Sequence, residues 1–120
     1  LKLDERVISY ENTNILSVDS SYFKKGTPDI VVMDVSFVSI KKILPYIKQF
    51  ADEMVVLIKP QFESGGKHLY KGIIRDKHIR QEIVEDVVDF IRNEELNVIG
   101  VVESPIQGKE GNIEYIAYIK

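Results

Sequence analysis

Ile30-Val-Val-Met-Asp-Val35 is the stretch that decides the fold, because it is a continuous apolar run broken only by its aspartate. Gly26-Thr-Pro-Asp29 precedes it and predicts a loop. A short run rich in β-branched residues and bounded by turn signals predicts a strand that is buried on both faces, as in a parallel sheet. A second run of this kind, Met54-Val-Val-Leu-Ile58, ends at Lys59-Pro60, where the proline cannot donate to a sheet.

Two segments repeat apolar residues with helical spacing. The first, residues 40–50, follows Ser39 as a suitable N-cap, and Pro45 within it should kink or shorten the helix. The second, residues 77–95, follows Asp76 and is the longest predicted helix. Further strands are predicted at residues 6–10, 97–102 and 113–119.

The element order is strand, strand, helix, strand, helix, strand, strand. This order predicts an α/β domain with a mostly parallel sheet and helices on its faces. The last two strands are joined by a polar loop and not by a helix. They should therefore be antiparallel, paired directly or across a neighbouring strand.

Composition narrows the class of protein. The chain of 120 residues has a net charge of −3 and no cysteine, which excludes disulfides and thiolate metal sites. It has no apolar run near the ~20 residues that span a bilayer, so a cytoplasmic location is the default expectation. His68 and His78 lack the spacing of metal ligands, and no metal site is predicted. A local basic cluster fits either an RNA-binding patch or a solvated loop. It comprises Lys67, Lys71, Arg75 and Lys77.

Polar residues end the predicted strands at the edge where open α/β sheets bind ligands. Asp34 and Lys59 end two parallel strands, and Glu114 begins the last strand at the same edge if that strand is antiparallel. Adjacent strands lie about 4.8 Å apart, so the three side chains can converge. A lysine between carboxylates can orient a hydroxyl group and help to remove its proton. The alternative is a plain structural ion pair between Asp34 and Lys59.

The whole chain resembles the TlyA family of hemolysin A and FtsJ-like rRNA methyltransferases, through segments that occur in the same order along it. The longer segments are Asp29-Ile-Val-Val-Met-Asp34-Val-Ser-Phe-Val-Ser39, Lys59-Pro-Gln-Phe-Glu63, Lys71-Gly-Ile-Ile-Arg-Asp76 and Ser104-Pro-Ile-Gln-Gly108 with Gly111-Asn-Ile-Glu114. Shorter matches near the start are Asp4-Glu-Arg-Val7 and Glu11-Asn-Thr-Asn14.

The resemblance implies a partial Rossmann-like methyltransferase fold and S-adenosylmethionine-dependent methylation of a ribose 2′-hydroxyl in ribosomal RNA. By motif, Asp34, Lys59 and Glu114 match the last three members of the family's Lys-Asp-Lys-Glu catalytic set. Lys59 would orient or deprotonate the hydroxyl group, with the two carboxylates tuning it. Asp34 would also contact the cofactor, and Asn14 would lie near the cofactor's adenine.

The chain departs from the family pattern at its beginning. No glycine-rich turn follows a strand, and the acidic second strand, the first catalytic lysine and the S4-like RNA-binding module have no counterpart. We therefore expect residues 1–120 to form one incomplete methyltransferase domain, which lacks the first cofactor-binding strands and is inactive alone. The alternative is a hemolysin-type binding or dimerisation module without catalysis.

Absence of those strands would leave one edge of the 30–35 strand unpaired. An unpaired apolar edge is a template for pairing with another strand. Two repairs are predicted. Either the strand at 6–10 slides over to pair with residues 30–35, or two chains pair through this edge as a homodimer.

Overall fold

The computed structural model describes residues 3–120, and these form four strands, three α-helices and several 3₁₀ turns. The strands are β1 (Ile30–Met33), β2 (Glu53–Ile58), β3 (Val98–Glu103) and β4 (Tyr115–Ile119). The helices are α1 (Leu44–Ile47), α2 (Pro60–Glu63) and α3 (Lys77–Asn93). The 3₁₀ turns span Ile15–Ser17, Ser20–Tyr22, Ile40–Lys42 and Lys109–Gly111.

The four strands form one mixed sheet in the order β1-β2-β4-β3. β1 and β2 are parallel, with Met33 beside Val56. β4 is antiparallel to both of its neighbours, β2 and β3. The predicted α/β class is confirmed, and the last two strands pair directly. As a result, β1 and β2 end at the same edge of the sheet at which β4 begins.

One hydrophobic core lies between the sheet and the helices. The strands turn alternate residues toward it, as the pleat of a half-covered sheet requires. The strand contribution is Met33, Met54, Val56, Ile58, Ala117 and Ile119. The helical contribution is Ile40, Ile43, Leu44 and Ile47 from the first segment and Val84, Val87, Val88 and Ile91 from α3. Because both helical segments meet the same strand residues, they cover the same face of the sheet.

The other face of the sheet stays partly open within residues 3–120. Ile30 and Val32 of β1 are 44% and 66% exposed, and Val102 of β3 is 61% exposed. The prediction that residues 30–35 are buried on both faces is therefore wrong. The run is apolar throughout, but only its alternate residues Val31 and Met33 turn toward the core.

Residues 6–10 do not form the predicted strand. The chain turns near its start, where Val7 N donates to Asp4 O at 3.0 Å. Tyr10 then packs against Tyr22, with ring centroids 4.9 Å apart, and its hydroxyl donates to Tyr22 O at 3.0 Å. The predicted pairing of residues 6–10 with β1 is wrong, because these aromatic contacts fix the segment elsewhere. Pairing of two chains through the β1 edge stays a prediction.

Proline shortens the first helix as predicted. The segment 40–50 begins as a 3₁₀ turn at Ile40–Lys42 and continues as only one helical turn, with Pro45 at its start. The longer helix begins where the sequence indicates, since the Asp76 side chain accepts hydrogen bonds from His78 N and Ile79 N. Within the part of the chain that the structure describes, no helix is long and apolar enough to cross a membrane.

Candidate active site

Asp34 and Lys59 meet at the carboxyl edge of the sheet. Each follows directly after one of two adjacent parallel strands, so the fold brings the two side chains side by side. Lys59 Nζ lies 2.5 Å from Asp34 Oδ1 and 3.4 Å from Ser36 Oγ. The Lys59 side chain is only 11% exposed, whereas that of Asp34 is 61% exposed. A shielded ammonium group is thus held in place beside a carboxylate that still has access to a ligand.

Glu114 does not complete this pair in the described residues. Its buried carboxylate accepts a hydrogen bond from Gln61 Nε2 at 2.9 Å, and no ion pair joins it to Lys59 within residues 3–120. Gly108 makes room for this arrangement, because a Cβ at that position would lie 2.1 Å from Glu114 Oε2. The structure therefore brings two of the three predicted residues into contact, and connects the third to the segment that follows Lys59.

Glu63 joins the two segments that carry Asp34 and Lys59. Its Oε1 accepts from Ser39 Oγ at 2.5 Å, and its Oε2 accepts from Ile40 N at 2.9 Å. The carboxylate thereby caps the 3₁₀ turn that follows the Asp34 loop. Burial raises the pKa of Glu63, although the hydrogen bonds from Ser39 and Ile40 lower it in part.

Replacing Glu63 by Gln tests this cap through the pH dependence of stability. Since the pKa of Glu63 is raised in the folded state, the stability linked to its protonation is present below its usual value of 4.5. That contribution is lost as the pH rises through the raised folded-state pKa. We expect the wild type minus Glu63→Gln difference in free energy of unfolding to fall over this range, as measured by urea denaturation. Glu85→Gln, on the exposed side of α3, should give a flatter difference. A difference that grows with pH would contradict the prediction.

An aromatic pair and a cavity are formed by the segments that follow Asp34 and Lys59, and the sequence interpretation missed both. Phe37 is 83% exposed, has a positive φ of 62°, and its ring centroid lies 4.9 Å from that of Phe62. Such a backbone conformation is strained for a bulky residue and is more frequent at functional sites. A cavity of about 500 Å³ opens beside the two phenylalanine rings. Its lining includes Phe37, Gln61, Phe62, Leu69 and Asn112. The signal available in the sequence was an aromatic residue, Phe37, in the short segment between Asp34 and Ser39.

Asn14 caps the turn that directly follows it in the chain. Its side chain caps the turn Ile15–Ser17 by accepting from Leu16 N at 3.0 Å. The described residues show no hydrogen bond between Asn14 and Asp34. Its proposed place near a cofactor's adenine therefore rests on the sequence match alone.

Comparison with known proteins identifies the family. The model of the FtsJ-like methyltransferase family matches residues 1–120, so the chain belongs to that family. Within it, the chain is 38% identical to hemolysin A of Brachyspira hyodysenteriae, over 98% of this chain and 51% of that protein. It is 33% identical to the 16S/23S rRNA (cytidine-2′-O)-methyltransferase TlyA of Mycobacterium tuberculosis, over 100% of this chain and 46% of that protein. The predicted resemblance to the TlyA type is confirmed.

A solved structure supports the same assignment. A hemolysin-named protein from Lactococcus lactis superposes with a TM-score of 0.92 at 36% identity, covering 98% of this chain and 58% of that one. The chain spans about half the length of the curated relatives it matches.

Proposed function

We propose that this chain carries catalytic residues of an S-adenosylmethionine-dependent RNA ribose 2′-O-methyltransferase. The observation that carries the proposal is the shielded Lys59 ammonium, held 2.5 Å from Asp34 at the ligand-binding edge of the sheet. The methyltransferase names of the relatives favour catalysis over a lytic or dimerisation module. A ribosomal RNA substrate would place the activity in the cytoplasm.

Lys59 is the residue that we assign to the substrate hydroxyl. Its Nζ can hold the 2′-oxygen by donating a hydrogen bond. Once Lys59 has released a proton to solvent, the resulting amine can take up the hydroxyl proton when the oxygen is methylated. Asp34 fixes the position of Nζ and stabilises the charge that Lys59 gains with that proton. The cofactor, when bound, supplies an electrophilic methyl group.

The residues present fit one end of the cofactor. The exposed carboxylate of Asp34 can accept a hydrogen bond from the cofactor's ammonium group without giving up Lys59, because a carboxylate has about four acceptor positions. No glycine-rich turn at a strand end is available for the rest of the cofactor in this chain. We therefore expect binding by the 120 residues alone to be weak or absent.

The basic loop after α2 supports RNA as the substrate class. Tyr70 is 53% exposed, and the Arg75 guanidinium carbon lies 4.3 Å from the centroid of its ring. Asn112 holds this loop by donating to Gly72 O at 2.9 Å and accepting from Ile74 N at 3.2 Å. The ring and its cations are thus presented on an ordered loop next to the cavity, as a surface for phosphates and unpaired bases requires.

A methyl-transfer assay tests the proposed function. A protein that contains this chain is incubated with S-adenosylmethionine, labelled in its methyl group, and ribosomal RNA. We expect label in the RNA and resistance to alkaline cleavage at the modified nucleotide, because a 2′-O-methyl group removes the nucleophile for that cleavage. Label at an alkali-sensitive nucleotide would show base methylation and contradict the proposal. Calorimetric titration of the 120-residue chain with S-adenosylmethionine tests the expected weak binding separately.

A further inference from the structure

The Gln61 side chain is buried with one polar atom satisfied and the other not. Gln61 is 7% exposed, its Nε2 donates to Glu114, and its Oε1 has no hydrogen-bond partner in the described residues. An unpaired buried acceptor destabilises the fold, and such groups are rare in folded proteins. A persistent cost of this kind at the wall of a cavity points to a ligand that supplies the missing donor.

Glu114 fixes which end of the Gln61 amide is available. A carboxylate only accepts hydrogen bonds, so the amide must turn its NH₂ group toward Glu114. The reverse orientation would set two acceptor oxygens against each other. Gly108 leaves room for the carboxylate, because Glu114 Oε2 occupies the space that a Cβ there would need. Gln61 therefore presents a fixed acceptor, Oε1, and not a donor.

The surroundings of Gln61 offer room and stacking surfaces for a nucleobase. The cavity of about 500 Å³ is lined by the aromatic rings of Phe37 and Phe62 as well as by Gln61. Gln61 follows Lys59 by two residues, so the segment that carries the proposed catalytic lysine continues into the cavity wall. The cavity wall also includes Gly65-Gly66, where an added Cβ would meet nothing within 4 Å. Solvent does not reach Oε1 in this structure, so a ligand contacts Oε1 only after the wall beside it moves.

We propose that Gln61, oriented by Glu114, recognises the amino group of the substrate nucleobase. This inference rests on the proposed function. The fixed acceptor fits cytosine or adenine, whose amino groups donate, and it opposes uracil, whose O4 also accepts. The assignment makes Gln61 a specificity-determining residue and gives Glu114 a positioning role. Discrimination by one such contact is about 1–3 kcal/mol, or about 5- to 150-fold.

NMR titration of the 120-residue chain with cytidine 5′-monophosphate and uridine 5′-monophosphate tests the proposal. These two probes differ at C4 of the base, where cytosine donates and uracil accepts, and at N3, where cytosine accepts and uracil donates. We expect cytidine 5′-monophosphate to shift the Gln61 side-chain amide signals and to bind at least about fivefold more tightly. Equal affinities, or binding that leaves the Gln61 signals unmoved, would overturn the proposal. Neither readout requires cofactor or methyl transfer, so the result is independent of the assay for the proposed function.

Three variants separate recognition from a structural effect. Gln61→Leu removes the acceptor, and Glu114→Gln removes the acceptor-only neighbour that orients it; both should bring the affinity ratio toward one. Ser64→Ala is the matched control, because Ser64 Oγ is also buried without a hydrogen-bond partner and lies just after the same helix. It should keep the wild-type ratio. A ratio that survives in Gln61→Leu, or one that Ser64→Ala abolishes equally, would overturn the assignment.

Discussion

Lys59→Met is expected to reduce methyl transfer at least about 100-fold, and up to about 10⁴-fold, in a protein that contains this chain. Methionine fills a similar volume, so the shielded stem of residue 59 keeps its packing while the ammonium group is lost. The remaining carboxylate of Asp34 is 61% exposed and stays solvated. Loss of an ion pair with one exposed partner should change the free energy of unfolding by no more than about 1 kcal/mol. Rates with labelled S-adenosylmethionine and urea denaturation give the two measurements.

Lys41→Met is the matched control for this change. Lys41 also forms an ion pair with an aspartate, Asp86 of α3, but it lies outside the Asp34–Lys59 pair. It should retain near-wild-type transfer. Full activity in Lys59→Met would exclude Lys59 as the group that handles the hydroxyl proton. An equal loss of methyl transfer in both variants would indicate that the rate depends on the net positive charge of the protein and not on the position of Lys59.

Local sequence signals predicted the elements whose ends are marked by turn or capping residues. The strand ending at Lys59-Pro60 and the helix capped by Asp76 are formed almost as expected, because turn and capping residues bound them. Residues 6–10 had a β-branched run but no fixed partner, and their structure depends on Tyr10 meeting Tyr22. Exposure of Ile30 and Val32 was likewise unpredictable, since an apolar run does not reveal which face a helix will cover.

The same distinction applies to the site. Asp34 and Lys59 were predictable because adjacent parallel strands end at one edge, so position in the chain fixes position in space. The direction of the Glu114 carboxylate was not predictable, because it depends on the free space above Gly108. Gln61 lies in a segment that resembles the family, but its role was not predictable, because its orientation follows only from the contact with Glu114.

Gly108→Ala is expected to lower the free energy of unfolding by about 2–3 kcal/mol, because it forces the Glu114 carboxylate out of its place. The new Cβ would lie 2.1 Å from Oε2 and 2.6 Å from Cδ of Glu114. Gly108 has a φ of −76°, which alanine adopts freely, so the cost is one of contact and not of backbone strain. Gln61 then loses its partner at a buried site. Urea denaturation measures the change, and the shift of the Gln61 amide signals reports its cause.

Gly100→Ala and a double variant show whether the contact with Glu114 causes the loss. Gly100 lies in β3, where an added Cβ would meet nothing within 4 Å, so Gly100→Ala should leave stability nearly unchanged. In Gly108→Ala/Glu114→Ala the clash is removed. The double variant should therefore lose less free energy of unfolding than the sum of the losses in Gly108→Ala and Glu114→Ala. Additive losses would mean that Gly108 serves the turn itself. Coupled losses would show that Gly108, by lacking a side chain, leaves the room that Glu114 needs to orient Gln61.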